Sequence, residues 1–297
     1  MDHVLTLIGP PDSLEEGTLG RLRSALDALG ADTLSPQWLA EGRAADIPFA
    51  LLSTDQADAA ARRLLAGRPI DVVAQPSTHR RKMLLVADMD STMVTGETLD
   101  ELADFAGLKE HIAAITARAM NGEIDFKSAL RERVGLLKGL PAETLELTYE
   151  RISYTPGAEA LVATMKAHGA FTVLVSGGFR FFTSRVRAHC GFDRDLANEL
   201  EIANGRLTGT VSEPILDRHT KLQTLISVAA ERQLPLTLTM TVGDGANDLD
   251  MIKAAGLGVA FHAKPVVAAE ARARIDHGDL TALLFAQGYH RDEFVGT

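Results

Sequence analysis

The sequence predicts an α/β protein in which a doubly wound, mostly parallel sheet carries a helical cap inserted after its first strand and is preceded by a small α+β unit. Three observations predict it. Continuous apolar runs at residues 83–87, 171–175, 238–242 and 257–260 each lead into turn-rich and helical sequence, as strands buried on both faces of a parallel sheet do. Between the first two runs, residues 97–151 carry only helical periodicity, at Leu99, Leu102, Ala103 and Phe105, then Ile112, Ile115 and Ala119, then Leu130, Val134 and Leu137. Ahead of all these, residues 1–75 read strand (3–8), helix (15–29), strand (48–52), helix (54–65) and strand (70–74).

The polar, cationic stretch 76–82, with Pro76, breaks the pattern as a linker would. The expected division is therefore an N-terminal unit at 1–78 and a larger one at 79–297, whose core is 79–96 and 156–297 and whose cap is 97–155. An all-helical insertion just after the first strand is a natural lid. Asn204-Gly205, flanked by apolar alternation, predicts a β-hairpin over 200–211.

Composition narrows the function. The chain has 297 residues, 46% hydrophobic and 24% charged, the balance of a globular protein with one large core and one smaller one. Its net charge of -10, without a basic run, excludes electrostatic attraction to nucleic acid or an anionic membrane, so a phosphate-handling site must be locally cationic. The single cysteine, Cys190, excludes an internal disulfide and a cysteine-based zinc site, and a cytoplasmic location is expected. No apolar run reaches the roughly 18 residues of a spanning helix, and Met1-Asp2-His3 lacks a signal-peptide layout, so a chain neither exported nor anchored is expected. The nine histidines show no metal-ligand spacing, and Trp38, His189, Phe179, Phe181 and Phe182 read as packing residues.

In an open parallel sheet, ligands sit beyond the carboxyl ends of the strands. Three strand ends here deliver polar clusters. The first is Asp88-Met89-Asp90-Ser91-Thr92, two carboxylates that divide naturally into a nucleophile toward phosphorus and a proton donor to the leaving oxygen. The second, Ser176-Gly177-Gly178, pairs a hydroxyl with glycines that let backbone N–H groups approach an anion at a helix start. The third is Gly243-Asp244-Gly245-Ala246-Asn247-Asp248, whose Asp244 and Asp248 form with Asp88 an oxygen-rich set suited to Mg²⁺. Lys221, at the opening of the helix before the third of these strands, is placed to neutralise a phosphoryl group. Singly, each has an ordinary reading: helix capping, a tight turn, an Asx-rich loop, a solvated lysine. Together, in order from successive strand ends, they compose a phosphoryl-transfer site.

These motifs, over residues 83–290, resemble those of the haloacid-dehalogenase-like phosphatases and, within them, the phosphoserine-specific members. The resemblance implies that Asp88 attacks phosphorus, that Asp90 protonates the seryl oxygen and then activates water, and that Ser176 and Lys221, with the backbone of Gly177 and Gly178, hold phosphoryl oxygens. It places Mg²⁺ on Asp88, the main-chain carbonyl of Asp90 and Asp244, with Asp248 in support and Asn247 touching substrate. In the cap, Glu97, Met120-Asn121-Gly122, Phe126 and Arg133 stand where the phosphoserine-specific members keep Glu, Met-x-Gly, Phe and Arg. An amino-acid substrate presents one ammonium and one carboxylate, which Glu97 and Arg133 suit. The implied reaction is hydrolysis of O-phospho-L-serine, the last step of serine biosynthesis. A phosphotransferase using the same aspartyl phosphate, or a phosphatase for another small phosphomonoester, is the alternative. Residues 1–78 resemble a small ACT-like domain, whose role stays open between binding serine, forming a homodimer and packing.

Overall fold

The computed structural model describes residues 1–120 and 123–296. Its central sheet has six parallel strands, in the spatial order Arg194–Asn198, Phe171–Phe179, Leu84–Ala87, Thr239–Gly243, Leu257–Phe261 and Ala273–Ile275. Leu84–Ala87, the first in sequence, lies inside, between the strands that start at Phe171 and Thr239. The chain winds outward from it in both directions and so creates a switch point whose carboxyl ends are Asp88, Ser176 and Asp244.

Both faces of this sheet are covered, which is why its strands read as unbroken apolar runs. Leu85 and Ala87 join the larger core with Leu161, Phe182 and Leu283, whereas Leu84 and Val86 pack on the other side with Leu225, Val228 and Met251. The period-2 alternation of a strand thus feeds two cores.

Four helices, Thr98–Phe105, Lys109–Met120, Phe126–Leu136 and Glu143–Glu150, form the insertion. Their apolar stripes, including Leu102, Ile112, Leu130, Val134 and Leu145, are buried. A two-stranded antiparallel pair, Val94–Thr95 with Ser153–Tyr154, ties the way into the insertion to the way out. The hairpin Leu200–Ala203/Arg206–Val211 forms where Asn204-Gly205 predicts it, and it braces the cap: Gly139 N–H donates to Leu207 O (2.8 Å) and Arg206 to Gly139 O (2.6 Å).

At the N-terminus an antiparallel sheet runs Asp32–Thr33, Ala44–Ala50, His3–Ile8, Asp71–Pro76, with Gln37–Ala40 also on Ala44–Ala50. With helices Glu16–Ala28 and Thr54–Leu64 the order is βαβββαβ. The strand expected at 48–52 begins earlier, at Ala44, and two short strands were missed. Pro48 lies inside this strand, although proline is normally confined to the start or edge of one. Here Pro48 falls between the two short partners, which pair with Phe49–Ala50 and with Ala44–Asp46, so no ladder partner on that side asks for its missing N–H.

Residues 76–79 and Arg81 are exposed, but Arg80 and Lys82 tie the stretch to both units. Arg80 makes a two-pronged ion pair with buried Asp46 (2.5 and 2.7 Å) and donates to Ala286 O (2.9 Å), while the Lys82 amine donates to His79 O and Thr237 O. Burial lowers the Lys82 ammonium to about 8. Ile8, Leu39, Ala44 and Val73 continue the apolar core around Leu283–Ala286, so the second face of the N-terminal sheet is packed on the larger unit. Arg80→Ala leaves the Asp46 carboxylate buried without its partner and is expected to destabilise the chain by about 3–5 kcal/mol. Arg81→Ala removes a partly exposed pair with Glu293 and is expected to cost under about 1 kcal/mol. Urea unfolding of both variants checks the contrast.

Candidate active site

The Asp88–Met93 segment turns sharply off its strand. Asp88 N–H still donates to Val242 O (3.0 Å), the last rung of the sheet, and its carboxylate accepts from Met89 N–H (2.8 Å). Ser91 takes φ = 55°, the left-handed region, and its N–H donates to Gly96 O (2.9 Å). That turn places the Asp88 side chain against the end of Thr239–Gly243 and brings Asp90 back toward the cap.

Behind Asp88 stands Lys221, on the helix Arg218–Glu231, 2% exposed. Its ammonium lies 2.7 Å from Asp88 Oδ1 and 2.6 Å from Asp248 Oδ1. Burial alone would lower this amine, but Asp248 and Asp88 outweigh it and hold it charged, above its ordinary range. Asp248 is itself fixed from its other oxygen, which accepts from Gly245 N–H (3.1 Å). This fold-back explains Gly243, whose Cβ would overlap the Asp248 carboxyl, while a Cβ on Gly245 would overlap Asn247 Oδ1.

Asp88, Asp244 and Asp248 are all buried and offer oxygens within 4.8 Å of one another. Burial, with the Asp88 charge adding to it, pushes Asp244 up to about 6 and Asp248 up to about 8. One ammonium against three buried carboxylates leaves an excess of negative charge, and the all-oxygen donor set fits a hard divalent cation.

Asp90 faces the other way. Its Oδ1 accepts from Thr98 N–H (2.8 Å) and its Oδ2 from Ser176 Oγ (3.1 Å), which in turn accepts from Gly178 N–H (2.8 Å). Burial, then the nearby Glu97 charge, raise Asp90 to about 7. Ser176-Gly177-Gly178 belongs to the last stretch of the strand Phe171–Phe179, and the following helix begins only at Arg180, so the expected helix start lies two residues further on.

A cavity of about 590 Å³ opens over these groups, between the sheet and the cap. Asp88, Asp90, Ser176, Gly177, Gly178, Asp244 and Asn247 line it from the sheet side, and Glu97, Phe126 and Arg133 from the cap. Lys221 and Asp248 sit beneath Asp88, outside the lining. Glu97 accepts from Ser91 Oγ (3.0 Å), and Arg133 donates to Ala129 O (3.3 Å). Phe126 leans over the glycines so closely that a Cβ on Gly177 would stand 3.2 Å from its ring. The side chain of Met120, and Asn121-Gly122, lie outside the described residues.

Sequence reasoning missed Thr98 and Lys264, both in the lining. Lys264 has a signal in retrospect, a Lys-Pro just past the fourth strand end, and its Nζ lies 4.0 Å from Asp244 Oδ2. Thr98 has none, since a threonine opening a helix is ordinary.

Comparison with known proteins identifies the family. The family model for haloacid dehalogenase-like hydrolases matches residues 85–253. A phosphoserine phosphatase of Archaeoglobus fulgidus is 47% identical over 216 residues, 72% of this chain and 63% of that one, so the match spans less than two thirds of that relative. A phosphoserine phosphatase of Streptococcus thermophilus is 47% identical over 199 residues, 67% of this chain and 93% of that one. The crystal structure of a HAD family hydrolase from Salmonella enterica serovar Typhi superposes with a TM-score of 0.84 at 30% identity, covering 98% of this chain and 99% of the other. The chain belongs to the haloacid dehalogenase-like hydrolases.

The carboxyl shifts make a pH prediction. In the metal-free folded protein Asp244, Asp90 and Asp248 titrate near 6, 7 and 8, whereas unfolded aspartates are ionised well below this window. Folding therefore takes up protons there, so the stability these groups contribute is present at lower pH and is lost as pH rises through it, by about 1.4 kcal/mol per pH unit for each proton bound. The urea midpoint of chelator-treated protein is expected to fall between about pH 5.5 and 8.5 and to recover on adding a divalent cation. A flat profile with no response to metal contradicts the carboxylate assignment.

Proposed function

We propose that this chain hydrolyses O-phospho-L-serine to L-serine and phosphate through an aspartyl phosphate on Asp88, with Mg²⁺ as cofactor, in the cytoplasm. The observation that carries the substrate is that Glu97 and Arg133, an anion and a cation from the cap, line the same cavity as the Asp88 carboxylate. A phosphorylated amino acid needs all three at once. The phosphoserine phosphatases among the relatives support the same reading.

In this mechanism the substrate carboxylate pairs with Arg133 and its ammonium with Glu97, while Phe126 covers the pocket and Asn247 contacts the bound ester at the rim. The backbone at Gly177 and Gly178 and the Ser176 hydroxyl take the phosphoryl oxygens. Asp88 attacks phosphorus, and Lys221, held by Asp248 and Asp88, offsets the charge that accumulates there. Asp90, with a carboxyl near 7, is protonated often enough to give its proton to the seryl oxygen and is then ionised to take one from water. Asp88, the Asp90 carbonyl and Asp244 would hold Mg²⁺, which when bound supplies Lewis-acid charge to the phosphoryl oxygens, and Asp248 supports them. The antiparallel sheet with two helices in the N-terminal unit, a βαβββαβ order, supports its ACT-like reading.

Phosphate release from a panel of small phosphomonoesters, with and without Mg²⁺, tests the proposal. Release should favour L-phosphoserine, require the metal, and fall by at least about 10³-fold in Asp88→Asn. Metal-independent turnover, or an active Asp88→Asn, would refute the mechanism. Arg133→Leu is expected to lower kcat/KM for phosphoserine by roughly 10- to 100-fold, the weight of a charge-assisted pair. The same variant should barely affect an ester that lacks the carboxylate, and an equal loss on both would remove Arg133 from substrate recognition.

A further inference from the structure

Lys264 is a cation that the proposed chemistry has not used. It lines the cavity from the sheet side, and among the described residues only Arg133, from the cap, brings the same sign of charge to that lining. Its main chain is held firmly. His262, two residues earlier, takes φ = 43°, a conformation that a residue with a side chain keeps only where its surroundings impose it. They do so here: His262 N–H donates to Ile275 O (2.8 Å), and its ring Nε2 lies 2.8 Å from Gly278 O. Lys264 N–H then donates to Asp244 O (3.1 Å), which ties this turn to the loop of Asp244 and Asp248.

The ammonium is not held in the same way. Among the described residues it comes no nearer to a carboxylate than 4.0 Å, at Asp244 Oδ2, and its side chain is 52% exposed. Its charge also acts on Glu97: burial pushes both carboxyls up, and Lys264 partly offsets the push. Lys221 is the contrast, buried beneath Asp88 with its ammonium already engaged by Asp88 and Asp248. In the proposed mechanism each carboxylate beside Lys264 receives a cation of its own, the metal for Asp244 and the substrate ammonium for Glu97. A loaded site therefore leaves Lys264 free for an anion.

Resting on the reading that phosphoserine is cleaved at Asp88, we propose that Lys264 is a substrate-binding residue that captures the phosphoryl group at the mouth of the cavity. Asp88 and Asp244 offer oxygens within 4.8 Å of each other, so a phosphoryl group at Asp88 brings its outer oxygens beside Asp244 and within the swing of a flexible lysine stem. The approaching dianion meets a wall rich in carboxylates, and a mobile cation there offsets that repulsion. The contact is made to bound ester and transition state alike, so it strengthens binding without changing the chemical step. Arg133 reads the amino-acid carboxylate; Lys264 reads the phosphate, whichever alcohol carries it.

Steady-state kinetics of Lys264→Met in excess Mg²⁺ test this, on L-phosphoserine and on O-phosphoethanolamine, which has no carboxylate. KM is expected to rise about 5- to 20-fold for both esters with kcat within about twofold, the weight of a half-exposed charge-assisted pair. The fall of kcat/KM with added salt should be shallower than in the wild type, and Lys264→Arg should restore both. Calorimetric titration with orthovanadate, which has no organic part, should show affinity reduced by the same factor. An unchanged KM and vanadate affinity, a loss confined to phosphoserine, or a fall in kcat with KM unchanged overturns the assignment. A wild-type chain that binds orthovanadate but does not hydrolyse phosphoserine overturns the substrate reading instead, and the vanadate titration of Lys264→Met still decides the role of Lys264.

Discussion

The ammonium of Lys221, clamped between Asp88 and Asp248, is the interaction on which the site depends. All three side chains are nearly solvent-free, and charges so placed are tolerated only when paired. The pairing links three separate elements: the end of the strand Leu84–Ala87, the helix Arg218–Glu231 and the loop after Thr239–Gly243. Removing the ammonium would leave two carboxylates facing each other in a dry pocket. Gly243 belongs to the same constraint, because only without a side chain there can Asp248 fold back to meet Lys221.

A parallel sheet makes this convergence natural. Its strands all end on one side, so a residue just past each end is brought within reach of the others without a long loop. The rest of the molecule holds that edge still. The N-terminal sheet contributes from a distance: Asp71 accepts hydrogen bonds from the N–H groups of Asp276 (2.7 Å) and Gly278 (2.7 Å), just past the outermost strand. Burial raises that carboxyl despite these bonds. Together with Arg80 and Asp46 it makes the joint between the two units polar and specific, inside a largely apolar contact.

What was legible in the sequence follows from range. Asp88, Asp90, Ser176, Asp244 and Asp248 could be read because each sits directly after an apolar run, so strand and polar cluster are adjacent in the chain. The joint at 76–82 could not be read, since the partners of Arg80 are 34 residues away at Asp46 and 206 away at Ala286. Such a segment has a linker's composition, and only tertiary contacts show that Arg80 and Lys82 are anchored. Pro48 is tolerated inside its strand for a reason equally remote in the chain: the neighbour on that side is interrupted. Thr98 escaped because a threonine opening a helix is ordinary in sequence, and only the fold sets its amide on the Asp90 carboxylate.

The placement of charge between sheet and cap carries a further consequence. Every group assigned to bond making and breaking comes from a strand end or from the turn and helix beside it, whereas the groups assigned to the amino-acid part of the substrate, Glu97, Phe126 and Arg133, come from the inserted helices. The insertion is joined to the sheet through the short pair at Val94–Thr95 and Ser153–Tyr154. Thr98 stands close to this junction: it opens the first cap helix, yet its amide holds the Asp90 carboxyl of the sheet side. On the proposed roles, substrate choice can therefore change through the distal cap without disturbing the phosphoryl chemistry, but the start of that first helix cannot shift without moving the Asp90 carboxyl.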